Sequence, residues 1–159
     1  MLDWLDELAP ENIRSKFSIK LSEMINGSGQ NLLRVIHYPP IPEKDMLDGA
    51  IRAGAHTDIN LITILIAEPG LQVKDNNNKW VDVKLDRNTI VVNIGDMLQE
   101  ASEGFYKSTQ HRVINPSKDL NRSRFSMPLF IHPRDEVRLS RRFTAKEYLE
   151  KRLKAIGLK

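Results

Sequence analysis

Two histidines and an aspartate carry the first chemical signal of this chain: His56 and Asp58 in a His-Thr-Asp tripeptide, and His111 fifty-three positions beyond the aspartate. Two imidazoles and one carboxylate are a ligand set that grips Fe(II) by one face and leaves the opposite positions open for an oxidisable substrate and O2. Side chains two apart on a strand share a face, so His56 and Asp58 can aim at one ion while Thr57 points away. The third ligand must then arrive from a distant strand. Standing alone, a His-x-Asp pair reads first as part of a surface loop.

A second pattern lies thirteen residues past His111, where Arg124 and Ser126 flank Phe125. On a strand, the guanidinium and hydroxyl again share a face, and a planar fork beside a hydroxyl suits a carboxylate. Arg122 faces the same way and is the rival, but only Arg124 has a serine two residues later. Arg112 follows His111 directly, points to the opposite face, and reads as a structural ion pair. His37 and His132 read as ordinary polar positions at strand ends, away from the triad. Asp96, after Gly95, reads as a helix cap.

In this order the motifs resemble those of the isopenicillin N synthase-like Fe(II)/2-oxoglutarate-dependent dioxygenases. The resemblance runs through Leu33-Arg34-Val35-Ile36-His37-Tyr38-Pro39-Pro40, Gly54 to Asp58, Gly70 to Val73, Val92 to Gln99, Tyr106 to Pro116 and Arg124 to Phe130. It covers roughly residues 30 to 155 and implies that the chain corresponds to the C-terminal oxygenase domain. Carried over position by position, it implies that His56, Asp58 and His111 are iron ligands. It implies that Arg124 and Ser126 bind the distal carboxylate of 2-oxoglutarate, with a further hydrogen bond from Tyr38. The implied activity uses Fe(II), 2-oxoglutarate and O2 to oxidise a small molecule, by default through hydroxylation, with release of succinate and CO2. The chain departs from the family at Ile36, where relatives often carry Asn, at His37, often aromatic, and at Asn60, often Gly.

The elements that must position these residues can be read from the pattern. Ile13, Phe17, Leu21 and Ile25 recur every fourth position, which predicts one amphipathic helix from Pro10 to Ile25, started by proline and stopped by Gly27. From about Leu32 to Leu139 come short Val/Ile/Leu-rich runs punctuated by Pro39-Pro40, Pro69-Gly70, Asn76-Asn77-Asn78, Gly95-Asp96 and Asn115-Pro116. That span suits eight or so strands in a double-stranded β-helix, the closed jelly-roll type of cupins. Leu61 to Ile66 reads as a buried strand. Thr144 and Glu147 read as a capping box opening a helix to about Lys154. The expected division is a helical segment over 1–30 packing on the barrel, a mainly β core over 31–140 and a C-terminal helix over 141–159.

Composition sets the bounds. A chain of 159 residues, 40% hydrophobic, is the size of one domain with a sizeable core. It has no cysteine, so a metal reading rests on His and carboxylate ligands. No apolar run reaches membrane-spanning length and the N-terminus lacks a signal-peptide pattern, so a cytoplasmic protein is expected. The net charge is +3, with the basic residues concentrated over 118–154. Without interleaved aromatics that basic third reads as a solvated surface or as a preference for an anionic small molecule, not as a nucleic-acid site. Relatives carry an N-terminal region ahead of the position matching Pro10. Its absence here would leave Ile13, Phe17 and Leu21 as an uncovered face, suited to a homodimer through the N-terminal helix. A non-catalytic metal-binding barrel and an Fe(II) oxidase that needs no cosubstrate remain alternatives.

Overall fold

β-Branched runs build the centre of the molecule. The computed structural model describes residues 1–47, 50–66, 69–84, 89–115 and 117–158. Within them β1 (Leu32–Leu33), β2 (Ile36–Tyr38), β3 (Ile51–His56), β4 (Ile62–Ile66), β5 (Leu71–Lys74), β6 (Trp80–Asp82), β7 (Ile90–Ile94), β8 (His111–Ile114), β9 (Arg124–Ser126) and β10 (Leu129–Ile131) follow in order. Ile-Thr-Ile-Leu-Ile in β4 pairs antiparallel with Ile-Val-Val-Asn-Ile in β7, from Ile62↔Ile94 to Ile66↔Ile90. Such cross-strand pairs of branched side chains are what stabilises a sheet.

The strands form one sheet in the order β1-β10-β4-β7, another in the order β3-β8-β5-β6, and a two-stranded ribbon of β2 and β9. The ribbon continues the first sheet. Pro128 has no N–H to donate, so the ladder breaks between β9 and β10, yet its carbonyl still accepts the Arg34 N–H at 3.0 Å. With β1–β2 and β9–β10 each taken as one interrupted strand, the number agrees with that expected. This is the double-stranded β-helix. Tight corners hold it: Asp75 Oδ1 accepts the N–H groups of Asn77 and Lys79 at 2.8 Å each. Gly70 turns with φ +102, where an added Cβ would lie 2.8 Å from the Ile114 carbonyl oxygen. Of the expected Asn115-Pro116 turn, Pro116 lies outside the described residues.

The N-terminal expectation is corrected. Instead of one helix from Pro10 to Ile25 the chain makes α1 (Leu2–Leu8), α2 (Glu11–Arg14) and α3 (Leu21–Met24). Tertiary bonds win over the helical period between the last two. The Ser18 hydroxyl donates to the Arg138 carbonyl at 2.7 Å, and the Leu21 N–H donates to the Asp6 carboxylate at 2.6 Å instead of to a preceding turn. The apolar stripe is not an open face either. Leu21 is fully buried, and Phe17 and Ile25 pack against the core.

That core lies where α1, α3, α4 (Asp96–Ala101) and α5 (Ala145–Ala155) meet Leu61 and Ile62 at the head of β4. α5 starts as expected. Thr144 accepts the Glu147 N–H through its hydroxyl at 3.3 Å, and the Glu147 carboxylate accepts the Thr144 N–H at 2.7 Å. No helix of the described residues is long and apolar enough to cross a membrane.

Candidate metal centre

β3 and β8 run antiparallel with His56 directly opposite His111, so two strands far apart in sequence deliver the two imidazoles side by side. Their ring centroids are 4.3 Å apart. The Asp58 Oδ1 atom lies 3.9 Å from His56 Nε2 and 3.8 Å from His111 Nε2, and the three ligand atoms fall within 4.8 Å of one another. Each histidine is oriented from behind. His56 Nδ1 donates to the Gly54 carbonyl at 2.7 Å and His111 Nδ1 donates to the Thr109 carbonyl at 3.2 Å. With the proton on Nδ1, each Nε2 keeps its lone pair for a metal.

Strand alternation is not what aims the carboxylate, because β3 ends at His56 and Asp58 stands in the following turn. The turn is pinned instead by hydrogen bonds. The Asp96 N–H donates to the Asp58 carbonyl at 2.7 Å, and the Asn93 side-chain amide reaches the Asp58 carboxylate at 3.4 Å. Asp58 and His111 are buried while His56 is half exposed, so the cluster opens on one side.

Asp96 serves this turn in a way different from the helix cap expected of it. Gly95 is the N-cap of α4, and Asp96 makes no capping bond. Its carboxylate accepts from the Thr57 hydroxyl at 3.2 Å and pairs with Arg152 of α5 at 2.9 Å. Thr57 thereby ties the His-Thr-Asp segment to two helices.

Tyr38, Arg124 and Ser126 are gathered on the β2–β9 ribbon, where Tyr38 pairs with Arg124 and Ile36 with Ser126. The Arg124 guanidinium sits 4.9 Å from the Tyr38 ring centroid. Arg52, which sequence reasoning missed, lies 5.0 Å from the same ring. Burial, and next the neighbouring Arg124 charge, lowers the Arg52 pKa. Two arginines on one tyrosine make a locally positive site that an incoming carboxylate would relieve. Arg122 is exposed outside β9.

The family profile of the 2OG-Fe(II) oxygenase superfamily matches residues 29–133. This chain belongs to that superfamily. A crystal structure from Shewanella oneidensis, described as an oxygenase, is 53% identical with a TM-score of 0.90, covering 99% of this chain and 59% of that one. A full-length Neurospora crassa protein crystallised in complex with α-ketoglutarate and thymine is 30% identical with a TM-score of 0.74, covering 98% of this chain and 54% of that one. Among curated proteins, a flavonol synthase/flavanone 3-hydroxylase of Petunia hybrida is 41% identical over 122 residues, 72% of this chain and 32% of that protein. The chain spans about a third of the length of the curated relatives it matches.

In this superfamily member the metal cluster opens into a cleft of about 740 Å³, walled by β1, the end of β10 and α5. His132 lines it together with His56 and Asp58, which corrects its reading as a position away from the triad. Burial is the main cause that lowers the His132 pKa below the ordinary 6.5. His37, by contrast, bonds Ser123 at 2.9 Å and stacks on Phe125 at the exposed surface. Arg112 donates to Gln72 at 2.8 Å and lies 4.2 Å over Trp80, a structural role met through a hydrogen bond and a ring. Arg34 and Arg152 also line the cleft, and neither was singled out from the sequence. For Arg34 the alternation with Leu32 and Tyr38 was a usable signal. For Arg152 there was none, because only the docking of α5 brings it there.

Proposed function

We propose that this chain carries the core of an Fe(II)- and 2-oxoglutarate-dependent dioxygenase acting on a small molecule, with hydroxylation as the default outcome. Residues 31–140 form the oxygenase core, with 1–30 and 141–159 as flanking helical segments. His56 Nε2, Asp58 Oδ1 and His111 Nε2 hold the iron, a donor set of two neutral imidazoles and one carboxylate that suits Fe(II) with open positions. Arg124 and Ser126, with Tyr38, take the distal carboxylate of 2-oxoglutarate. The redox chemistry is that of the bound iron with 2-oxoglutarate and O2, which yields succinate and CO2. The protein's residues bind and orient: Gly54 and Thr109 carbonyls hold the two imidazoles in their ligating tautomer, and Asn93 and Asp96 steady Asp58.

The observation that carries this reading is the convergence of the three ligand atoms within 4.8 Å, each imidazole locked from behind. A relative named as a 2-oxoglutarate-dependent dioxygenase, 38% identical over 111 residues, and the Neurospora crassa structure bound to α-ketoglutarate support the cosubstrate. The named relatives act on or bind small molecules, which supports that substrate class. Calorimetric titration with Mn(II), and then with 2-oxoglutarate, tests the proposal. One metal site should bind, His111→Ala should remove it, and 2-oxoglutarate should bind only to the metal-loaded protein. Unchanged metal stoichiometry and affinity in His111→Ala would show that the ligand assignment is wrong.

A further inference from the structure

We infer that the substrate oxidised at this centre is an amphipathic anion, with a carboxylate or similar group held by Arg34 and an apolar body against α5. The inference rests on the dioxygenase reading and names the substrate class of that site. Arg34 lies in the break between β1 and β2, and its backbone N–H is spent on the Pro128 carbonyl. Its side chain is exposed, lines the cleft with Leu32, and has no hydrogen-bond or ion-pair partner among the described residues. Tyr38 lies four positions on, roughly 13 Å along an extended strand. Arg34 lines the same cleft as His56 and Asp58, while the Tyr38–Arg124 pair lies further along, on the β2–β9 ribbon.

Charge decides what such a guanidinium is for. Asp58 is the sole acid among the described residues lining the cleft, and it belongs to the metal-ligand cluster. Arg152 is neutralised by Asp96 at 2.9 Å, and His132 stays neutral near pH 7 because burial lowers its pKa. With a doubly charged metal balanced by Asp58 and the near carboxylate of 2-oxoglutarate, Arg34 is the cation left uncompensated among the described residues that line the cleft. A cation beside a low-dielectric wall recruits an anion. The wall is Leu149 and Leu153 on the inner side of α5, continued by Ile156 and Leu158 and faced by Phe130. A cleft of about 740 Å³ admits a small molecule of drug-like size.

Equilibrium dialysis of 4-phenylbutyrate and its uncharged amide tests this with the Mn(II)-loaded protein, with and without 2-oxoglutarate. The acid should bind at least about tenfold more tightly than the amide, the discrimination expected of a charge-assisted contact. In Arg34→Gln the two should converge while 2-oxoglutarate affinity stays unchanged, and Arg34→Lys should keep part of the preference. Equal binding of acid and amide, no binding of the acid, or a preference that survives Arg34→Gln overturns the inference. A fall in 2-oxoglutarate affinity in Arg34→Gln assigns the arginine to the cosubstrate and overturns it as well. If 2-oxoglutarate fails to bind but the acid still depends on Arg34, the cosubstrate reading falls and this one stands.

Discussion

At the scale of single residues, orientation matters as much as identity. His56 and His111 are suited to be ligands because each donates its Nδ1–H to a backbone carbonyl two residues earlier, which leaves Nε2 unprotonated. The role proposed for Arg124 draws on its neighbours, with Tyr38 opposite it across the ribbon and Ser126 two positions on along the same strand. A charge-assisted hydrogen bond contributes roughly 1.5 to 3 kcal/mol. Arg124→Ala should therefore weaken 2-oxoglutarate by at least about tenfold. Arg122→Ala, at an exposed position outside β9, should leave it unchanged. The opposite pattern, read by calorimetry on the metal-loaded protein, would mean that the carboxylate is held by the wrong arginine in our assignment.

At the scale of elements, the metal turn depends on close backbone packing between the end of β3 and the start of α4. Gly95 donates its N–H to the Leu61 carbonyl at 2.8 Å, and a Cβ added there would lie 1.9 Å from the Asn60 carbonyl oxygen. Asn60 is itself buried and bonded to the Ile62 carbonyl at 2.9 Å, so neither side can give way easily. Gly95→Ala should cost about 1 to 3 kcal/mol or more as overpacking, and lower the melting temperature by at least about 2 °C. It should also weaken metal binding, because the displaced backbone carries the Asp96–Asp58 bond. Gly29→Ala, with open space around the added methyl, should melt like the parent protein. A Gly95→Ala protein with unchanged melting and metal affinity would refute this account of the turn.

At the scale of the whole molecule, pH should act on stability through His132. Burial holds its folded pKa below the ordinary 6.5, so as pH falls the unfolded chain takes up a proton before the folded one does. The unfolded state then binds more protons, and stability rises with pH through that window. The contribution is complete above about pH 6.5 and is lost as pH falls from there toward the lowered folded value. Metal-free protein melted between about pH 5 and pH 7.5, a range bracketing that reference value, should lose stability on acidification. His132→Gln should lose less. An equally steep acid limb in the variant would rule out His132 as its source.

What the sequence determined by itself were the parts whose chemistry is local or periodic. The ligand types His56, Asp58 and His111, the Arg124-Phe125-Ser126 strand and the capping box at Thr144 were each legible, the last two because residue type at a spacing of two or three maps directly onto a strand face or a helix cap. Tertiary structure decided the rest. The four-residue periodicity from Ile13 to Ile25 was real, but the Leu21 N–H found the Asp6 carboxylate and the Ser18 hydroxyl found the Arg138 carbonyl, so one expected helix became two short ones. Asp96 looked like a cap until Arg152, fifty-six residues away, met its carboxylate. Asp58 lies beyond the strand that was to aim it, and its aim comes from Asn93 and Asp96. Bonds between residues far apart in the chain leave no periodic trace in a sequence, because their partners meet only when the sheets and helices close on one another.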